Sequence, residues 1–136
     1  MADTLRLEIV TPQATVVSED VTMVTLPAIE GQIGVYPQHE RLITQIVPGE
    51  IIIVKGNTEQ HFAVGEGLVD IAADHVSIVT DMAMAAEQID EATVEAARAR
   101  AAARLQEKIS DEEVASVNAS LARSLAQLQV KRRRRM

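Results

Sequence analysis

Three histidines (His39, His61 and His75) and 20 carboxylates are the groups here that could move protons or hold a metal. The histidines are scattered without ligand spacing, and no pair of carboxylates stands out as acid and base. With no cysteine there is no thiolate metal site, disulfide or cysteine nucleophile. No G-x-x-x-x-G-K-[ST] loop, G-x-G-x-x-G fingerprint, H-E-x-x-H pair or G-x-S-x-G elbow occurs. The expectation is a chain that is not an enzyme by itself, with no metal and no cofactor. Positive charge gathers at the end, in Lys131, Arg132, Arg133, Arg134 and Arg135. Arginines pair most strongly with carboxylates, so an acidic protein surface suits this run best. It lacks the interleaved aromatics of a nucleic-acid module, and no nucleic-acid partner is expected.

Those groups are carried by 136 residues of which 47% are apolar, with Tyr36 and Phe62 the only aromatics. A core must be built from Val, Ile, Leu, Ala and Met. No apolar run has the ~18 residues that cross a bilayer, and the first residues do not read as a signal or transit peptide. Any membrane association is expected to be indirect, through a partner. The net charge of −7 is divided: residues 1–88 hold 13 acids and 3 bases (−10), residues 89–136 hold 7 acids and 10 bases (+3). Two pieces with different partners, or attracting one another, would give that split.

Residues 1–86 read as short strands. Leu5, Leu7 and Ile9 alternate with Arg6 and Glu8, Val21 to Leu26 is β-branched and ends at Pro27, and Gly56-Asn57 is a hairpin turn. Eight or more such runs predict an antiparallel β-sandwich or flattened barrel. Between them, Glu30 to Thr44 (E-G-Q-I-G-V-Y-P-Q-H-E-R-L-I-T) is expected to be a rigid loop set by Gly31, Gly34 and Pro37, presenting Glu30, Tyr36 and His39. His61 and His75 read as surface or strand-end residues.

Residues 87–136 change to a helical period. Asp90 is an N-cap flanked by Ile89 and Val94, and Ser110-Asp111-Glu112-Glu113 is a capping box flanked by Ile109 and Val114. Helices are predicted over about 91–108 and 111–130, with buried stripes Val94, Ala97, Ala101, Leu105 and Val114, Val117, Leu121, Leu125, Leu128. A short connection makes them an antiparallel hairpin. Its alanine-rich seam buries little, so it must lean on the sandwich or on another protein, either permanently docked or as a movable element. The fold class is α+β by segregation: a β-sandwich, then a helical hairpin.

The 30–44 stretch resembles the pattern E-G-E-x-G-I-x-P-G-H-A-P-L-L-T of the ε subunit of the rotary proton-translocating ATP synthase of bacteria and chloroplasts. Glu30, Gly31, Gly34, Pro37, His39, Leu42 and Thr44 match it. Val10-Thr11-Pro12, the stretch from Phe62 to Gly67, and Val76 to Asp81 are similar to that family in the same order, although Glu66 stands where glycine is usual. The resemblance implies a non-catalytic central-stalk subunit, peripheral on the cytoplasmic face of a bacterial inner (plasma) membrane or, less in keeping, a thylakoid. Its partners would be the γ subunit, the c-ring and the α and β catalytic subunits. It implies that Thr11, His39 and Thr44 lie near γ, and Glu30, Gly31, Gln32 and Gly34 near the c-ring. Gln32 replaces an acid there, and Glu40-Arg41 replaces Ala-Pro after the histidine. The hairpin of that family lies on the sandwich or extends into the catalytic head and blocks ATP hydrolysis. Arg123 and Lys131 to Arg135 would supply its positive charge. An ATP-binding motif of some members, I-D-x-x-R-A, is represented by Ile89 and Asp90, but Thr93 stands for its arginine and Val94 for its alanine. Arg100 and Arg123 could still face a nucleotide, so binding of ATP as a regulatory ligand is expected to be weak. The alternative from another class is a free-standing adaptor whose basic helical tail binds an acidic protein or RNA.

Overall fold

The computed structural model describes residues 4–134. Alternation sets the first strand, β1 (Leu5–Val10), whose Leu5, Leu7 and Ile9 are buried while Arg6 and Glu8 face water. A short turn, in which the Thr11 hydroxyl donates to the Ala14 carbonyl (3.2 Å), returns the chain as β2 (Thr15–Val21). Then β3 (Met23–Ala28) runs one residue past Pro27, beyond the expected end. Pro27 lacks a donor, but its carbonyl still accepts from Val47 N–H (2.9 Å).

The stretch expected as a loop begins instead with a strand, β4 (Gly31–Val35), paired antiparallel to β3. Gly31 at φ +130° closes the turn, and Val35 opposite Val24 is fully buried. Apolar burial makes a hairpin of what turn composition marks as a loop. The rest of the sheet is β5 (Leu42–Ile46), β6 (Gly49–Lys55), β7 (Thr58–Val64), β8 (Gly67–Ile71), β9 (His75–Thr80) and β10 (Ala83–Ala85). Gly56 at φ +63° closes the β6–β7 hairpin, as its composition predicts.

The strand order is β10-β7-β6-β3-β5-β8-β9-β1-β2, with β4 on the other edge of β3. The chain passes from one layer to the other at β3, which pairs with β6 through Met23 to Thr25 and with β5 at Ala28. Lys55 of β6 reaches Glu19 of β2 (3.3 Å), so the sheet nearly closes on itself. Among the described residues every pair is antiparallel except one: β1 lies parallel to β9, from Arg6 beside His75 to Val10 beside Val79. The core between the layers is aliphatic, with Leu7, Ile9, Leu26, Ile46, Ile51, Ile53, Ile71 and Ile78 fully buried, and Phe62 its one ring. In β6 only Ile51 and Ile53 are fully enclosed. Ile52 and Val54 are half-buried, so this strand is less evenly covered than its unbroken apolar run suggests.

After a 3-10 turn at Ala86–Gln88 come α1 (Glu91–Arg104) and α2 (Asp111–Arg134), packed together. The first helix stops four residues before the expected Lys108. The amides of Gln106 and Glu107 turn back to Ala103 and Arg104 (3.0 and 3.1 Å), tightening the end into i→i+3 bonds. The second runs past the expected Val130, because Lys131, Arg132 and Arg133 all find partners in the fold.

The hairpin lies on the outer face of β6 and β7. Ala63 from the sheet, Ala86, Ile89, Val94, Leu128 and Val130 form this second, smaller core, with Met82 and Met84 against it. Leu125, expected on the buried stripe, is 49% exposed. Leu128 is buried as expected, and between α1 on one side and the sheet on another the end of α2 also buries Ser124, Ala126 and Val130.

Candidate interaction surfaces

Four neighbouring strands, β5, β8, β9 and β1, have an outer face that none of the described residues covers. Along one cross-strand row Val10 pairs with Val79, Val79 with Leu68, and Leu68 with Gln45. Ile43 sits one pleat along β5, opposite Asp70. Ile43, Leu68 and Val79 are 62%, 59% and 56% exposed, large apolar side chains in contiguous register on a single face. Singly exposed aliphatics mean little, but a contiguous patch marks a docking surface. A shallow groove runs beside it, lined by Val10, Pro12, Gly67, Leu68 and Val79 together with Thr11, Glu66, Thr80 and Asp81.

The three residues expected near γ are distributed around this face. Thr11 is buried at one end of it, tied into the β1–β2 turn. Thr44 is half-buried in β5 opposite the buried Val69, so it points inward while Ile43 and Gln45 point out. His39 lies at the other end, where Gln38 N–H donates to the Ala73 carbonyl (2.7 Å) and His39 Nδ1 donates to the Glu40 carbonyl (2.6 Å). Thr11 and His39 are therefore about 17 Å apart along the strands. The structure does not gather the three into one spot. Arg41, the departure after the histidine, pairs with Asp70 through Nε and Nη2 (3.2 and 3.3 Å).

Glu30, Gly31, Gln32 and Gly34 are together: all are exposed on the β3–β4 hairpin, beside an Ile29 that is 55% exposed.

Three arginines of α2 are held by acids of the same chain, and Lys131 by a backbone carbonyl. Arg123 Nη1 donates to Asp81 (3.2 Å), Lys131 Nζ to the Ala86 carbonyl (3.3 Å), and Arg132 to Glu91 and Glu95 of α1 (2.8 and 3.1 Å). Those carboxylates, Glu91 first, keep Arg132 firmly protonated. Arg133 Nη1 donates to Glu50 Oε1 at 2.6 Å. Glu50 is buried and also meets His61, whose Nδ1 lies 2.8 Å from Oε2, while His61 Nε2 lies 3.0 Å from Glu59. His61, expected at the surface or at a strand end, lies inside β7 with a side chain only 14% exposed. The cause is α2 lying over this part of the sheet, which the strand sequence does not announce. Arg134 ends the helix, and Arg135 lies outside the described residues.

The residues expected to face a nucleotide do not converge. Ile89 is buried in the small core, and Asp90 caps α1, accepting from Ala92 N–H (3.1 Å) and the Thr93 hydroxyl (2.8 Å). The Thr93 hydroxyl, more than any other contact, holds the Asp90 carboxyl below its ordinary 3.8. Arg100 stands about 15 Å further along α1. It lines a groove with Val117 and Ser120, while Arg123 is turned to Asp81.

The sequence matches the family profile described as ATP synthase, Delta/Epsilon chain, beta-sandwich domain over residues 4–86. It matches the one described as ATP synthase, Delta/Epsilon chain, long alpha-helix domain over residues 87–132. The chain belongs to the ATP synthase delta/epsilon family. Among relatives in this family, the ATP synthase epsilon chain of Herpetosiphon aurantiacus is 37% identical over 131 residues, 96% of either chain. The ATP synthase epsilon chain 2 of Syntrophotalea carbinolica is 40% identical over 131 residues, 96% of this chain and 95% of that one. The fold is shared with a chain in a solved Euglena gracilis mitochondrial ATP synthase at a TM-score of 0.75 and 21% identity, covering 90% of this chain and 78% of that one. For a delta/epsilon chain, the surfaces that sequence reasoning missed are the Ile43, Leu68, Val79 face and the Glu50, His61, Arg133 cluster. The first has a faint signature: Leu42-Ile43 and Leu68-Val69 place apolar residues at consecutive positions, so one of each pair must face outward.

Proposed function

We propose that this chain is the non-catalytic epsilon subunit of the central stalk of a rotary, proton-translocating ATP synthase. In this reading the β5-β8-β9-β1 face docks on the γ subunit, the β3–β4 tip faces the c-ring, and the hairpin regulates ATP hydrolysis by the α and β subunits. The observation that carries it is the cluster of exposed aliphatics, Val79, Leu68 and Ile43, on a face bracketed by Thr11 and His39. A surface of this kind is costly in water and is stable once a partner covers it. Membrane association follows from the complex; among the described residues no helix is long and apolar enough to cross a bilayer.

Co-purification with γ tests the reading. Leu68→Glu places a charge in the middle of the patch without touching the core. It is expected to weaken γ binding by about thirtyfold or more, the loss typical of a central interface residue. Binding that survives this change unaltered would remove the patch from the interface.

The hairpin at rest lies on the sandwich, and when lifted its basic residues meet acids of the catalytic head. Neutralising Arg132 and Arg133 is expected to weaken inhibition of hydrolysis in the assembled complex. Nucleotide binds the docked hairpin weakly, since Asp90 is occupied as a cap and Arg123 by Asp81. Calorimetry of the chain with ATP is expected to show no micromolar site.

A further inference from the structure

Glu50 projects from the outer face of β6, where a sandwich without its hairpin would leave it in water. In the docked molecule its side chain is 7% exposed, because α2 lies over it. Withdrawing a carboxylate from water is costly unless it is paired and hydrogen-bonded. Here Arg133 takes one oxygen at 2.6 Å and His61 meets the other at 2.8 Å. The apolar contribution of the same stretch is small, coming from Ala126, Leu128 and Val130.

The same cleft is lined one helical turn earlier by Gln129. A slide of α2 by a turn would set this neutral amide against Glu50 and carry the arginine past it. The buried charge therefore permits one seating of the helix and penalises its neighbours, which is the best-attested use of a buried ion pair. The other charges around it point elsewhere: Glu59 meets the far side of His61, Arg132 faces α1, and Arg123 faces Asp81.

We infer that the Glu50–Arg133 pair, seated on His61, is the latch that fixes the register of α2 on the sheet and holds the hairpin down. When the hairpin lifts, Arg133 exchanges Glu50 for a carboxylate on an acidic partner surface, a step that rests on the braking role proposed above.

The chain has no cysteine, so spin labels at Gln60→Cys and Asn118→Cys report the sheet-to-helix distance in the full-length protein. One narrow distance distribution is expected with the latch intact. Arg133→Gln, which strands a buried carboxylate, is expected to raise the separated fraction about tenfold or more. Glu50→Lys, which faces Arg133 with a second cation, should do the same while leaving that arginine in place. The double change Glu50→Gln with Arg133→Gln removes the buried charge altogether and should sit closer to the parent than Arg133→Gln alone. Arg132→Gln, which breaks only contacts within the hairpin, should leave the distance as it was. Unchanged distances in Arg133→Gln and Glu50→Lys, or equal release by Arg132→Gln, would overturn the latch. In the assembled complex Glu50→Lys should deepen inhibition of hydrolysis. Release in the isolated chain with hydrolysis unchanged would overturn the exchange of partners and leave the latch standing.

Discussion

Gln38 holds φ at +72°, a left-handed conformation that a side chain disfavours, just after Pro37. The family pattern has glycine at this position, and the turn pins Gln38 through its N–H to Ala73. Gln38→Gly is therefore expected to stabilise the protein by about 1 kcal/mol, read from the denaturant midpoint. Gly67 gives the opposite sign. A Cβ there would meet the Val79 carbonyl oxygen at 1.9 Å, inside the β8–β9 ladder, where backbone has nowhere to go. Gly67→Ala should cost about 1–3 kcal/mol by the same measurement, and a loss near zero would contradict the packing. At this scale the sequence speaks where chemistry is local. Asp90 and Ser110 are readable as caps because their partners lie two or three residues away. His61 and Glu50 are not, because the cation that completes their cluster comes from a helix more than seventy residues on.

The start of each element is likewise clearer than its end. Ser110 Oγ accepts from Glu113 N–H (3.1 Å), and the Glu113 carboxylate reaches back to Ser110 N–H (3.4 Å), the reciprocal arrangement that the four residues predict. Ser110→Ala should lower hairpin stability by about 1 kcal/mol, measured as helix content against denaturant. The end of α2 escapes a local reading because Lys131, Arg132 and Arg133 are kept helical by partners on other elements. The caps also set a pH response. The Ser110 backbone N–H is the main cause holding the Glu113 carboxyl below its ordinary 4.5, Arg98 holds Glu95 below the same value, and Thr93 holds Asp90 below 3.8. A carboxyl lowered in the folded state stabilises above its unfolded value and loses that contribution as pH falls through the folded one. Circular dichroism should thus show the hairpin weakening as pH drops below 4.5, with stability unaffected by these groups near neutrality.

For the molecule as a whole, the large aliphatic core contains no residue from either helix: Leu5 to Ile78 complete it between the layers. A chain of residues 1–86 is expected to unfold cooperatively, with the exposed Ala63 and Glu50 face adding solvent contact but leaving that core whole. Alternation and turn residues announce eight strands, but not β4, whose stretch reads as a loop, nor β10, nor the strand order, since pairing depends on partners distant in sequence. The parallel pair of β1 and β9 is the clearest case, and it has a temporal consequence. Arg6 cannot take its place until His75 exists, so during synthesis the opening strand waits, one edge unmet, through most of translation. The sheet closes only as the ribosome turns to the helices, and the hairpin emerges to find its seat newly made.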